Sequence, residues 1–264
     1  MRILVHGATG RMGRAVITMA AHDPHIVLAA AVTRAKHAMC GLDAGEQAGI
    51  GAAGVLISDA NAEIEDIDVV VDFTNDSGVV DAIALADKLN AALVSGSTGI
   101  GDEQREQLRA YSCRKPVLWS ANMSPAIALL ERLVRESAQA LPDADIEIHE
   151  CHHRYKKDAP SGTALSLAKQ AAKGRGEPLE MLKNCRRATR PGPRESGEIG
   201  MSVSRGGSVA GEHRVGFYLD GEYLALSHHA TERDIFARGA LRAAHWLLKQ
   251  PAGLYRMEHV LQGE

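Results

Sequence analysis

The chain has 264 residues, of which 45% are hydrophobic but only 4% aromatic, with 26 glycines and a net charge of −3. That is enough apolar material for one large or two modest domains around an aliphatic core, and the glycine content suits an α/β protein with many tight turns. So small a charge gives no electrostatic case for nucleic acid or an anionic membrane as partner, and no apolar run reaches membrane-span length.

Residues 2–6 read as a short apolar strand at the very start, without the basic and apolar regions of a signal peptide. The four cysteines (Cys40, Cys113, Cys151, Cys185) are scattered. They read as reduced thiols of a cytoplasmic protein rather than a disulfide framework. GATGRMG follows at 7–13, opening a helix that runs to about Ala21. Strand, Gly-rich turn and helix together give the G-x-x-G-x-x-G pattern a mechanism. Gly7 permits the turn, Gly10 lets a pyrophosphate reach the backbone, and Gly13 allows the helix to pack closely on the strand. The alternative is a Gly-rich turn of an unliganded α/β domain.

The second strand is expected over Ile26–Val32. An acid about 20 residues past the glycines would bond the ribose 2′-hydroxyl of NAD. Thr33 and Arg34 stand there instead, with Lys36 nearby. A guanidinium pairs with a 2′-phosphate, which favours NADPH over NADH. Residues 39–54 read as a loop and Val55–Ile57 as a short strand. Val69–Phe73 is a fully apolar strand of the parallel kind. Asp76-Ser77 are expected to cap a helix over 78–90. The strand Ala92–Ser95, the loop Gly96-Ser97-Thr98-Gly99, the helix 102–111, the strand Pro116–Ser120 and Ala121-Asn122-Met123-Ser124 complete a doubly wound βαβ alternation.

From Pro125 the pattern changes. A long amphipathic helix covers about 125–140, and alternation at Ile146–Glu150 predicts a strand. Residues 147–164 then read EIHECHHRYKKDAPSGTA, the densest group of titratable side chains in the chain. Strand geometry points His152 and His153 to opposite faces, so at most one of them enters a given pocket. Lys156, Lys157 and the helix start at Ser161-Gly162-Thr163 together form a site for a small acidic molecule, because first-turn amides lack intrahelical partners. A polar strand end followed by a Ser cap is the structural alternative. Cys151, His152 and His153 are metal-ligand types, but adjacent residues on a strand diverge and no second pair has zinc-like spacing, so no metal is expected. The helix is drawn to Ala172, and the basic, Gly/Pro-broken residues 173–198 are expected to be an extended loop. Strands at 199–205, 212–219 and 222–229 follow, with hairpin signals at Gly206-Gly207 and Asp220-Gly221, and a helix at 233–249 is expected to return to the first domain. His213, His228, His229 and His245 are read as structural.

With these motifs in hand, the chain resembles the 4-hydroxy-tetrahydrodipicolinate reductase (dihydrodipicolinate reductase) family over essentially its whole length. The pieces that carry the resemblance are GATGRMG, Asp72-Phe73-Thr74, Gly96-Ser97-Thr98, Ala121-Asn122-Met123-Ser124 and, most specifically, ECHHRYKKDAPSGTA at 150–164. The resemblance implies an N-terminal Rossmann-like parallel-sheet domain (1–123 and 232–264). It also implies a smaller α+β substrate and tetramerisation domain with a mixed sheet (124–231). The implied reaction is NAD(P)H-dependent reduction of hydroxytetrahydrodipicolinate to tetrahydrodipicolinate, with loss of water, in lysine biosynthesis. His152 and Lys156 become the catalytic pair. His153, Lys156, Ser161, Gly162 and Thr163 bind the dicarboxylate. The cofactor falls to Gly7, Thr9, Gly10, Arg11, Met12, Gly13, Arg34, Phe73, Thr74, Gly96, Ser97, Thr98, Ala121, Asn122 and Met123. Two departures stand out: Thr33 where the family often has Glu, and Met123 where Phe is common.

The chemistry agrees with that assignment. Hydride delivery to a conjugated imine builds negative charge that must take a proton, and Lys156 is charged at neutral pH and can donate one. An aspartate-dehydrogenase-like enzyme shares the glycine motif but not the histidine and lysine cluster. A nucleotide-sensing regulator would need no such cluster.

Overall fold

The computed structural model describes residues 1–184 and 192–262. Two compact units emerge, Met1–Pro125 with Asp234–Glu264, and Ala126–Arg233. Cys185 and residues 185–191 of the expected basic loop lie outside the described residues.

The first unit is built from β1 (Arg2–His6), α1 (Arg11–Ala21), β2 (Val27–Val32), α2 (Ala44–Ala48), β3 (Ile57–Ser58), β4 (Val69–Asp72), α3 (Asp76–Lys88), β5 (Ala92–Ser95), α4 (Asp102–Ser112) and β6 (Pro116–Trp119). After the second unit's elements come α8 (Asp234–Leu247), β12 (Gly253–Tyr255) and α9 (Met257–Val260), the last two unforeseen in the sequence. All seven strands are parallel, in the order β12-β6-β5-β4-β1-β2-β3. The order reverses between β1 and β4, the switch point where ligands of doubly wound sheets bind. Each residue of β4 and β5 is buried, which explains the apolar runs Val69–Val71 and Ala92–Val94 that precede their polar ends. Two local expectations fail here. Residues 39–54 are not all loop, because Asp43 accepts the Gly45 and Glu46 N–H groups (2.8 and 3.1 Å) and so caps the short α2. The cap of α3 is Asn75, which accepts the Gly78 N–H at 3.0 Å, so the helix starts at Asp76 rather than 78.

The second unit comprises α5 (Pro125–Ala140), β7 (Asp145–His152), α6 (Gly162–Arg175), α7 (Leu179–Leu182), β8 (Lys183–Asn184), β9 (Ile199–Arg205), β10 (Gly211–Leu219) and β11 (Glu222–Ala230). Its mixed sheet has the order β11-β10-β7-β9-β8, with β7 antiparallel to β10 and parallel to β9. The expected hairpin at Gly206-Gly207 is therefore absent. β7 lies between the two strands it would have joined, and the Gly206 N–H donates to the His152 carbonyl at 2.9 Å instead. The hairpin at Asp220-Gly221 does join β10 to β11. The expected 173–198 loop is corrected as well: α6 continues to Arg175 and ends at Gly176 in the left-handed conformation (φ 75°), then α7 and β8 follow. Ile127, Leu130 and Val134 of α5 and Leu167 and Ala171 of α6 pack on Ile146, Ile148, Val215 and Phe217. Full burial of a residue such as Leu167 contributes about 1.5–3 kcal/mol.

Candidate active site

The first unit gathers its candidate residues at the carboxyl ends of β1, β2, β4, β5 and β6. Gly7 sits at φ 80°, and the Gly7 and Ala8 N–H groups donate to the Val32 carbonyl (2.9 and 3.0 Å), tying the loop to β2. A Cβ on Gly13 would lie 2.8 Å from the Ala8 Cα, so only glycine lets α1 start this close to the strand end. Gly10 caps α1 in extended conformation without a side-chain bond, and no acid occupies the first turn. Unpartnered first-turn amides beside Arg11 and an open glycine backbone fit a pyrophosphate. Thr9 and Thr33 share a hydrogen bond at 3.0 Å, and Arg34 is exposed just beyond β2. Phe73 lays its ring over Gly96. The side chain of Met123 is buried rather than open, whereas Ala121 and Thr98 are exposed; Met12 and Asn122 are half-buried.

Beneath these loops lies a carboxylate that the sequence placed in the Asp72-Phe73-Thr74 motif but not among the site residues. Asp72 is fully buried. Its Oδ1 accepts from His6 Nδ1 (3.0 Å) and Thr74 Oγ1 (2.7 Å), and its Oδ2 accepts from Ser95 Oγ and Ser97 Oγ (2.7 Å each). One side chain thus fixes the ends of three adjacent strands and two of the predicted loops.

The second unit holds the cluster from 150 to 163. His152 ends β7 with its side chain buried, while His153, just past the strand, is half-buried and accepts from the exposed Arg233 guanidinium at Nε2 (2.8 Å). The Tyr155 N–H also approaches His153 Nδ1, at 3.2 Å. Lys156 Nζ pairs with Asp158 at 2.9 Å. Desolvation raises the proton affinity of Asp158, but the bond from Lys156, its own backbone N–H and the Lys156 and Arg205 charges together outweigh it and hold the carboxyl below its usual range. Ser161 is buried, and its hydroxyl is committed to the Ala164 N–H (3.1 Å) and to His213 Nε2 (3.3 Å). The anion position therefore rests on the exposed Gly162 and the half-buried Thr163 at the start of α6.

Three further side chains complete this site and were missed. Glu150 alternates with the apolar Ile146 and Ile148, and is 1% exposed. His213, 61 positions from His152 in sequence, lies against the His152 ring with centroids 5.1 Å apart. Arg205 donates to Glu150 Oε1 (3.1 Å) and to the Asp158 carbonyl (2.7 Å). No motif ties 205 or 213 to 150; only the pairing of β7 with β9 and β10 brings them together. Burial pushes His213 down to about 4, with the neighbouring His152 adding to the effect. Burial also lowers the His152 pKa, with Lys156 and Arg205 pushing the same way and Glu150 opposing them. Ligand atoms of Glu150, His152 and His213 lie within 4.8 Å of one another, as a metal site would need. Glu150 Oε1 is already bonded by the Ser161 N–H and Arg205, though, and the nearby Lys156 and Arg205 cations disfavour a further positive charge.

Residues 1–123 match the family model for the dihydrodipicolinate reductase N-terminus, and residues 126–261 the model for its C-terminus. A 4-hydroxy-tetrahydrodipicolinate reductase of Nitratiruptor sp. is 42% identical over 261 residues, covering 99% of both chains. Among solved structures, a dipicolinate-bound dihydrodipicolinate reductase from Paenisporosarcina sp. TG-14 superposes with a TM-score of 0.73 at 20% identity, covering 97% of each chain. A DAP dehydrogenase of C. glutamicum in complex with DAP gives 0.56 at 15% identity, covering 100% of this chain and 96% of that one. At those identities the two structures speak to the fold alone.

Proposed function

The chain belongs to the dihydrodipicolinate reductase family, and from that premise we propose how its own residues divide the work. It is an oxidoreductase that reduces 4-hydroxy-tetrahydrodipicolinate to tetrahydrodipicolinate with loss of water, in the diaminopimelate and lysine route. The nicotinamide cofactor, when bound, supplies the hydride. Gly7, Thr9, Gly10, Arg11, Met12 and Gly13 hold its phosphates on the amides of α1, and the loops at Phe73-Thr74, Gly96-Ser97-Thr98 and Ala121-Asn122-Met123 hold the rest. Met123 acts there through its backbone, because its side chain is buried.

Lys156 donates the proton that the reduced carbon skeleton takes up, and Asp158 orients its ammonium through the 2.9 Å ion pair. His152 is the second catalytic group, neutral and buried beside that cation. The Gly162 and Thr163 amides, the Thr163 hydroxyl and His153 with Arg233 take the two carboxylates. Ser161 serves the same site from below, by capping the helix. The single observation that carries this division is that Glu150 ties the His152 ring and Arg205 to the start of α6 at Ser161, with Lys156 paired to Asp158 in the same stretch.

Arg34, with Thr33 in place of an acid, supports NADPH as the preferred cofactor and NADH as the second. A homotetramer built through the second unit is supported by the sheet face opposite α5 and α6, where Tyr218 and Tyr223 stack in the open at 5.4 Å. No helix among the described residues is long and apolar enough to cross a membrane, and we assign the enzyme to the cytoplasm. The test couples the chain to the synthase that makes its substrate and follows loss of the reduced nicotinamide's near-ultraviolet absorbance. Rapid oxidation, faster with NADPH, is the expected result. Folded protein that binds NADPH yet oxidises neither cofactor would overturn the site assignment. Light scattering at about four chain masses checks the tetramer.

A further inference from the structure

Glu150 occupies the face of β7 that carries Ile146 and Ile148 into the core. A buried carboxylate costs several kcal/mol unless its oxygens are satisfied. Here every partner belongs to the active site. Oε1 accepts from the Ser161 N–H (2.8 Å) and from Arg205 (3.1 Å), while Oε2 lies 2.6 Å from His152 Nδ1. Burial opposes ionisation of Glu150, but the Ser161 N–H, Arg205 and His152 outweigh it and hold the carboxyl below its usual range.

We propose that Glu150 is the positioning residue of this enzyme, a single buried carboxylate that locks the His152 ring and the substrate-binding start of α6 into one rigid body. The inference rests on the assignment of His152 and Lys156 to the active site and deepens it. Two consequences follow from the contacts. The contact lies off the line of a ring N–H bond, so it acts through charge: an Oε2 anion 2.6 Å from Nδ1 draws the ring proton to Nδ1 and leaves a lone pair at Nε2. The Nε2 side is kept open by Gly211, where an added Cβ would come within 3.1 Å of that nitrogen. Through the Ser161 N–H, the same carboxylate sets where Gly162 and Thr163 aim their amides. Loss of Glu150 would therefore disturb the ring and the anion position together. That differs from a salt bridge placed only for stability, which would leave tautomer and turnover alone.

The test pairs Glu150→Gln with imidazole nitrogen NMR and steady-state kinetics. Gln keeps an oxygen for the Ser161 N–H and Arg205, but turns an amide NH2 toward His152 and inverts the ring's tautomer. We expect kcat to fall by about 10²-fold, as misplacing a catalytic group by an ångström does. The KM for NADPH should be unchanged, and the inflection of the pH profile that belongs to His152 should move to lower pH as the opposing negative charge is removed. Normal kcat with an unchanged profile would overturn the inference. If the variant does not fold, the wild-type spectrum still decides: a His152 proton on Nε2 in the native enzyme refutes it. His152→Gln and Lys156→Ala are run alongside. If those two keep full turnover, the active-site assignment itself fails. If they lose turnover while Glu150→Gln does not, only the role of Glu150 fails.

Discussion

Asp72→Asn is the sharpest probe of the cofactor unit. The side chain keeps its volume but loses one of two acceptor oxygens. Each oxygen now serves two donors, His6 and Thr74 on one side, Ser95 and Ser97 on the other. Whichever way the amide turns, two donors meet an NH2 group in a fully buried site. A hydrogen bond to a charged acceptor contributes about 1.5–3 kcal/mol, and two of them are lost. Rotating hydroxyls recover part of this, because Thr74 Oγ1 and Ser97 Oγ lie 3.1 Å apart and can bond each other. The expected loss is about 3 kcal/mol. For a chain of this size that lowers Tm by about 6–12 °C, and the urea midpoint falls without a change in slope. Affinity for NADPH should fall too, since Thr74 and Ser97 lead the two loops assigned to it. A Tm within about 2 °C of wild type, measured with no cofactor present, would refute the claim that this carboxylate organises the strand ends.

Other expectations are simpler to state. Lys156→Ala should lower kcat by about 10²–10⁴-fold with an unchanged circular dichroism spectrum, and near-normal turnover would remove Lys156 from the chemistry. Arg34→Ala should raise the KM for NADPH by about 10- to 100-fold and leave that for NADH alone, because only the 2′-phosphate loses a partner; equal effects on both would place Arg34 outside the ribose pocket. Burial pushes His213 down to about 4 in the fold against 6.5 in the unfolded chain, so the unfolded chain takes up the proton first as pH falls. The stability it confers is complete above pH 6.5 and is lost between 6.5 and about 4. In His213→Gln the dependence of stability on pH across that window should be flatter by about 3 kcal/mol, and an unchanged slope would refute the burial argument.

Local chemistry made much of this molecule legible. Gly7 and Gly13 announce a turn and a close approach that need no distant partner, and the βαβ rhythm of the first unit follows from the apolar runs at 69–73 and 92–95. The stretch 152–163 is contiguous, so its density was visible on the page. Long-range pairing was not. His213 and Arg205 become site residues only because β7 inserts between β9 and β10, and the pair of glycines at 206–207 pointed to the simpler hairpin. Glu150 was concealed by its own alternation with isoleucines, since a carboxylate at a core position gives no sign of the partners that satisfy it. Asp72 was read as the end of an apolar strand for the same reason.

The first unit also has an order of assembly written into it. Its chain starts at β1, leaves at Pro125, and returns only at Asp234, when α8 comes to lie beside α1. During synthesis the nucleotide-binding loops therefore emerge first, but the half-made unit must wait for more than a hundred residues before α8 and β12 reach it. The intervening segment faces a similar delay on a smaller scale, because β7 has no strand partner until β9 and β10 have been made. Contacts so distant in sequence form slowly. β7 and the parallel sheet are thus both finished by late-arriving chain, so on the proposed assignment catalytic competence comes only when nearly the whole polypeptide has left the ribosome.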